Sequence, residues 1–94
     1  MENEKALERQ LVKRVKKAGG WSFKLGTGLV AGLPDRLCLF PGGRFAFVEV
    51  KGTGLEPTKL QKIVHRRLNA LGFTVWVIDS TAGIDLLMGI YGPY

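Results

Sequence analysis

The first part of the chain carries apolar residues at helical spacing. Between Glu4 and Ala18 these residues recur every three or four positions, and the pair Gly19-Gly20 then ends the segment. The apolar positions are Leu7, Leu11, Val15 and Ala18. This pattern predicts a first helix over residues 4–18 that buries one stripe and exposes lysines and arginines on its outer side.

Shorter apolar runs predict four strands. The first is Trp21 to Leu25, and a glycine-rich loop follows it. The runs 35–40 and 44–51 are separated by Pro41-Gly42-Gly43, which suits a three-residue hairpin with glycine in the left-handed conformation. Phe73 to Asp79 is predicted to be a final core strand.

Two further helices complete the predicted order of helix, three strands, helix, strand and short terminal helix. One spans Thr58 to Leu71 and ends at Gly72, and the other spans Thr81 to Met88. The apolar positions of the longer one are Leu60, Ile63, Val64, Leu68 and Leu71. We expect these five residues to form its core face. Ninety-four residues are sufficient for one domain, which spans 1–94.

Charge and cysteine content narrow the class of protein. Fourteen Lys and Arg against eight Asp and Glu give a net charge of +6, which favours an anionic polymer as partner, although a membrane surface or a ribosome would also suit charge alone. The single cysteine, Cys38, cannot form an internal disulfide and is expected in the core, so a cytoplasmic location is predicted. We expect no secretory signal and no membrane span, because no stretch approaches about 20 apolar residues.

The hairpin register predicts where the chemistry lies. It sets Asp35 opposite Glu49, and Lys51 projects on the same side as Glu49 because alternate strand residues share a face. Two carboxylates are hard ligands for Mg²⁺ or Mn²⁺, and an ammonium can assist an attacking water. This set predicts a metal-dependent nuclease. The alternative is an ordinary Glu49–Lys51 ion pair, with Asp35 capping a turn after Pro34.

Other polar residues lie beside the predicted apolar stripes of the helices. Glu8 faces inward on the first helix, so we expect it to meet a cation or to lie at the edge of a groove, and Glu4 is the competing acid on that face. Gln61 and His65 are one turn apart on the next long helix and could reach the acidic end of the hairpin. We rank His65 below Gln61, because a helical histidine is more often inert than catalytic.

These motifs resemble a known nuclease family. Pro34-Asp35 followed by Glu49-Val50-Lys51 is similar to the PD-(D/E)XK signature, and the wider pattern resembles its VRR-NUC branch, the virus-type replication-repair nucleases, over nearly the whole chain. The resemblance implies an α/β fold with a restriction-endonuclease-like αβββαβ core and a mixed sheet flanked by helices. It also implies catalytic roles for Asp35, Glu49, Lys51, Glu8 and Gln61. The implied metal ligands are Asp35, Glu49, Glu8 and the Val50 carbonyl, and Lys51 would orient or activate the water.

The resemblance further implies a phage or prophage protein that acts as a homodimer on branched DNA, in the manner of a Holliday-junction resolvase. Basic positions on the two long helices are expected to contact the DNA backbone. They are Lys5, Arg9 and Lys13 on the first helix and Lys59, Lys62 and Arg66 on the second. Two other functions remain open, namely a non-catalytic DNA-binding protein and a sequence-specific restriction-type endonuclease.

Overall fold

A computed structural model describes residues 2–26, 28 and 30–92 of the chain, and it has the predicted order of elements. These are α1 (Glu4–Lys17), β1 (Trp21–Lys24), β2 (Arg36–Phe40), β3 (Arg44–Val50), α2 (Lys59–Ala70), β4 (Val75–Ile78) and α3 (Thr81–Tyr91). The terminal helix extends three residues past its predicted end, because the Tyr91 ring stacks on Phe40, 5.1 Å between ring centroids. In the described part of the chain, no helix is long and apolar enough to cross a membrane.

The four strands form one sheet in the order β1-β2-β3-β4. The first three are antiparallel, while β4 runs parallel to β3 after the crossover through α2. The expected mixed α/β sheet is therefore confirmed. At the β2–β3 hairpin, Gly42 and Gly43 have φ values of +86° and +75°, a conformation that L side chains rarely adopt, so the turn depends on glycine.

The hydrophobic core lies between one face of the sheet and the pair α1 and α3. Its fully or nearly fully buried members are Leu7, Leu11, Val15, Cys38, Phe40, Ala46, Val48, Val50, Ile78, Ile84 and Leu87. Cys38 is 0 % exposed, which confirms its predicted place in the core. Because α1 is fixed to the sheet by its apolar stripe, its basic side faces outward beside β1.

The opposite face of the sheet is covered incompletely by α2. The prediction that five apolar residues of α2 form a core face is wrong for Leu60, Ile63 and Leu71, which are 48 %, 46 % and 70 % exposed. Among the described residues of α2, His65 alone is buried. The predicted final core strand is likewise shorter, and Val77 within it is 46 % exposed. A single helix on this face leaves apolar residues of both layers in contact with solvent.

Candidate active site

The two predicted acids meet where the β2–β3 hairpin ends. Arg36 pairs with Val48, so the next pair in the same register is Asp35 with Glu49, on the face that α2 partly covers. Asp35 lies just before β2, and its Oδ2 accepts a hydrogen bond of 3.3 Å from the Val50 backbone N–H. The pairing also sets its carboxyl group close enough to that of Glu49 to raise the pKa of Glu49. The structure therefore brings together two carboxyl groups that are fourteen residues apart in the sequence.

Glu49 is fully buried, and one of its oxygens is held by two donors. Its Oε2 accepts a 2.9 Å hydrogen bond from Gln61 Nε2 and lies 3.5 Å from Lys51 Nζ. Burial raises the pKa of Glu49 to about 7, and the neighbouring Asp35 carboxyl acts in the same direction, while Lys51 opposes them. Near neutral pH the Glu49 carboxyl is therefore only partly ionised.

The start of α2 fixes the orientation of Gln61. Thr58 caps the helix, and its hydroxyl accepts a 3.2 Å hydrogen bond from the Gln61 backbone N–H. In return, the Gln61 side-chain carbonyl accepts a 2.8 Å bond from the Thr58 backbone N–H, which completes a capping box. Because the amide oxygen is used by the cap, the amide NH₂ is the end that points at Glu49. A local helix-start motif thus positions a donor on a buried carboxylate.

His65 also lies beside Glu49, as its spacing from Gln61 allowed, although the sequence analysis ranked it below Gln61. Its Nε2 lies 3.7 Å from Glu49 Oε1. Burial lowers the pKa of His65, so the ring is neutral at physiological pH. The available signal was its position one turn after Gln61, on the same side of α2. That spacing alone could not show that the side chain is buried.

Glu8 lies on the other side of the sheet, within a group of cations. Its Oε2 is 3.1 Å from the Arg36 guanidinium and 3.9 Å from Lys24 Nζ. Both expectations for this inward acid are met, since it pairs with a cation and lines a groove that Glu4 also lines. Arg36 is the partner that the sequence did not identify, and it lies on the α1 face, opposite to that of its neighbour Asp35. The role of Glu8 as a metal ligand remains a prediction.

The acid pair suits a hard divalent cation that retains water. Within the described residues, no group of three or more His, Cys, Asp and Glu is arranged to enclose a metal ion. Mg²⁺ commonly binds proteins through one or two carboxylates, with water and substrate phosphate as its other ligands. Asp35 and Glu49 meet that requirement, and the buried Glu49 Oε1 has no hydrogen-bond partner of its own. A contribution from the Val50 carbonyl is still a prediction.

One depression lies at the acid pair, and another lies on the α1 side of the sheet. A cleft of about 310 Å³ is lined by Asp35, Gln61 and parts of the glycine-rich loop. A larger groove of about 770 Å³ lies between α1 and β1. Its cationic lining comprises Lys5, Arg9, Lys13, Lys16, Lys24 and Arg36. The three predicted DNA contacts of α1 therefore share one groove, together with Lys16 and Lys24, which the prediction omitted.

The predicted cations of α2 have a different setting. Lys62 Nζ forms a 2.9 Å ion pair with Glu56, and Lys62 and Arg66 line a depression that also contains Glu56 and Asp79. Lys59 is exposed in the first turn of α2. The basic surface of α2 is therefore interrupted by carboxylates.

Comparison with known proteins agrees with this architecture. A solved structure described as "VRR_NUC domain" superposes with a TM-score of 0.86 at 30 % sequence identity, covering 97 % of this chain and 99 % of that one. "Putative nuclease p44" of Acyrthosiphon pisum secondary endosymbiont phage 1 is 44 % identical over 77 residues, which are 82 % of this chain and 83 % of that protein. No protein-family model matches the chain. From its sequence motifs, its fold and these two relatives, the chain belongs to the VRR-NUC family of nucleases.

Proposed function

We propose that this nuclease is a Mg²⁺- or Mn²⁺-dependent DNA endonuclease that selects branched DNA and works as a homodimer. The observation that carries the proposal is the register that sets Asp35 opposite the buried Glu49, with Lys51 Nζ 3.5 Å from the Glu49 carboxylate. Two neighbouring carboxyl groups, one of them fully buried, are electrostatically unfavourable unless cations offset their charge, so this pair beside a single ammonium group supports a metal-binding role.

The residues divide the chemistry among them. A dication held by Asp35 and Glu49 would neutralise charge on the phosphate and lower the pKa of an attacking water. Lys51 is well placed to orient that water or to exchange a proton with it. Gln61 holds Glu49 in place through its amide. As the family resemblance implies, the products would carry 5′-phosphate and 3′-hydroxyl ends.

The groove between α1 and β1 is the surface we assign to the DNA backbone. Arg36 and, at a longer distance, Lys24 pair with Glu8 there, so the other four cations are opposed by Glu4 alone among the lining residues. The groove lies on the other side of the sheet from the acids, but it comes close to the Asp35 backbone, because Arg36 lines the groove and the Leu25 backbone N–H donates to the Asp35 carbonyl at 2.8 Å. A phosphate backbone bound along α1 would therefore pass close to Asp35.

Pairing of two copies would give the enzyme two cleavage centres. One small domain has one acid pair, whereas symmetric incision of a junction requires two, and twofold symmetry supplies them. The α2 side of the sheet exposes the uncharged side chains of Trp21, Phe45 and Phe73, and this apolar surface supports the dimer in the proposal.

The test is cleavage of a four-way junction, a flap and a linear duplex in Mg²⁺, Mn²⁺ or chelator. We expect metal-dependent cleavage that favours the branched substrates. Lys51→Ala should lower the rate by about 100-fold or more, the range typical of a lost acid–base group, while binding to the junction changes little. Lys17→Ala removes an exposed lysine outside the groove and should cleave normally.

Three results would contradict parts of this proposal. Undiminished cleavage by purified Lys51→Ala would remove Lys51 from the chemistry. Binding without cleavage in any metal would indicate a non-catalytic DNA-binding protein. Cleavage of linear duplex at one fixed sequence would indicate a restriction-type endonuclease.

A further inference from the structure

In the described structure, His65 Nε2 faces Oε1 of Glu49. His65 is 7 % exposed, and it lies one turn after Gln61, so both side chains project from α2 toward the same carboxylate. Gln61 and Lys51 occupy Oε2 of Glu49, whereas His65 Nε2 faces Oε1. The two oxygens of one carboxylate therefore face different sets of partners.

The gap between His65 and Glu49 is too long for a hydrogen bond. Nε2 and Oε1 are 3.7 Å apart, and both are buried atoms without a partner in the described structure. An unsatisfied buried donor or acceptor costs about 1–3 kcal/mol. Because these two atoms face each other, a small movement that forms a hydrogen bond between them would remove both costs. Closing the gap to hydrogen-bonding distance requires less than about 1 Å of motion.

We infer that His65 is a positioning residue whose Nε2–H donates to Oε1 of Glu49 when that carboxylate holds the cation. This inference rests on the proposed metal-dependent function. Together with Gln61, the imidazole would fix the carboxylate from both oxygens and so favour its ionised, metal-holding orientation. Partners that orient a metal ligand in this way typically change metal affinity by 10–100-fold when they are removed.

Two substitutions of similar size distinguish the effect of the hydrogen-bond donor from the effect of side-chain volume. His65→Gln keeps an N–H donor at a similar distance from the backbone, whereas His65→Met keeps the volume and has no donor. Mn²⁺ affinity of each purified protein is measured by titration calorimetry in the absence of DNA. We expect His65→Met to bind Mn²⁺ at least about 10-fold more weakly than wild type and His65→Gln to remain within about threefold.

Cleavage against Mn²⁺ concentration gives a second readout. For His65→Met the half-maximal Mn²⁺ concentration should rise, with much of the rate recovered at saturation, whereas loss of fold would lower the rate at every concentration. Urea unfolding in chelator verifies that both variants are folded. Equal Mn²⁺ affinity in all three proteins, or an equal loss in both variants, would overturn the role of His65. Absence of Mn²⁺ binding by wild type would instead contradict the proposed function itself.

Discussion

Glu49 is held in an environment that disfavours its charged form. It is 0 % exposed beside Asp35, and these two conditions raise its pKa to about 7. A purely structural strand residue at this position would be more stable as an apolar side chain, because burying an ionisable group is costly even when it is paired. The cost is consistent with a site that is completed by a cation, which would favour the ionised form of Glu49.

The raised pKa predicts that the metal-free protein loses stability as pH rises. In the unfolded chain Glu49 loses its proton near the ordinary value of 4.5, while the native state retains it to about 7. Between these values the native state binds more protons, so the free energy of unfolding falls with increasing pH, by up to about 3 kcal/mol in total. Urea unfolding in chelator at pH 4.5, 6 and 8 measures this slope.

Glu49→Gln is the matched comparison, because an amide does not titrate. The unfolding free energy of wild type should fall relative to that of Glu49→Gln between pH 4.5 and 7. Above pH 7 the difference between the two proteins should stay constant. The lowered pKa of His65 acts in the opposite direction, but it is present in both proteins and largely cancels. If the difference in unfolding free energy between the two proteins stayed constant across this range, the pKa of Glu49 would not be raised in the native state.

At the residue scale, the sequence could predict what depends on strand geometry. The hairpin length set Asp35 opposite Glu49, and alternation set Lys51 beside it, so these positions followed from local rules. The contacts of His65 and Arg36 could not be predicted in the same way. Each depends on how a helix packs on the sheet, and the pattern of α1 or α2 alone does not specify which strand residue it meets.

The elements α1 and α2 are both basic and amphipathic, yet they use their outer sides differently. On α1 the apolar stripe is fully buried, and the cations beside it line one continuous groove. On α2 the cations are interspersed with Glu56 and Asp79. A phosphate backbone gains most from cations that are not already opposed by carboxylates, so α1 should dominate DNA binding.

Paired substitutions test this difference between the helices. Arg9→Gln with Lys13→Gln removes two charges from the groove, and Lys59→Gln with Arg66→Gln removes two from α2. The groove variant should bind a junction about 10-fold more weakly, with the salt dependence of log K reduced by about 1–2, and the α2 variant should stay within about twofold. Anisotropy titrations with Ca²⁺ in place of Mg²⁺, at several salt concentrations, give both quantities. An equal loss in the two variants would contradict the assignment.

Element boundaries and the burial of α2 show where sequence patterns were insufficient. The apolar period located every helix and strand, and glycines ended α1 and α2 within a residue of their predicted ends. The period also marked Leu60, Ile63 and Leu71 as core, and they are exposed. An apolar face is equally compatible with burial inside one chain and with burial against another, so the pattern could not distinguish the two.

At the scale of the whole molecule, the described part of the chain has a partly exposed aromatic sheet face on the α2 side. Strand pairing aligns its members across β1, β2 and β3, and Phe73 joins them just before β4. The aromatic sheet face consists of Trp21, Phe23, Leu37, Leu39, Phe45, Phe47 and Phe73. Ring centroids of Phe45, Phe47 and Phe73 lie 5.9–6.1 Å apart, so these rings form one cluster. Contiguous apolar patches of this kind usually mark an interaction surface.

A second copy of the chain fits this surface better than DNA does. None of the seven side chains of the aromatic sheet face is charged, although the chain carries +6 overall. DNA binding requires cations, which lie on the α1 side, whereas two positively charged copies can approach most closely through a face that has no charge. The exposed apolar residues of α2 lie on the same side of the sheet and would extend the contact.

We therefore predict that the protein is a dimer and that one charged residue introduced into the aromatic sheet face dissociates it into monomers. Wild type should sediment at about twice its 10.3 kDa mass. Phe45→Glu places a carboxylate within the aromatic sheet face and should shift the protein to monomer, because each copy would bury an unpaired charge. Leu86→Glu is the matched control, since Leu86 is also exposed, at 61 %, but lies on α3, on the other side of the sheet.

The oligomeric state should also determine how a junction is cut. A dimer presents two acid pairs and should incise both strands within one binding event, whereas monomeric Phe45→Glu should leave nicked intermediates that accumulate. A supercoiled cruciform plasmid distinguishes these outcomes, because paired incision gives linear product and single incision gives open circles. If wild type were monomeric at tens of micromolar, or if Leu86→Glu dissociated as Phe45→Glu does, the aromatic sheet face would not be the dimer surface.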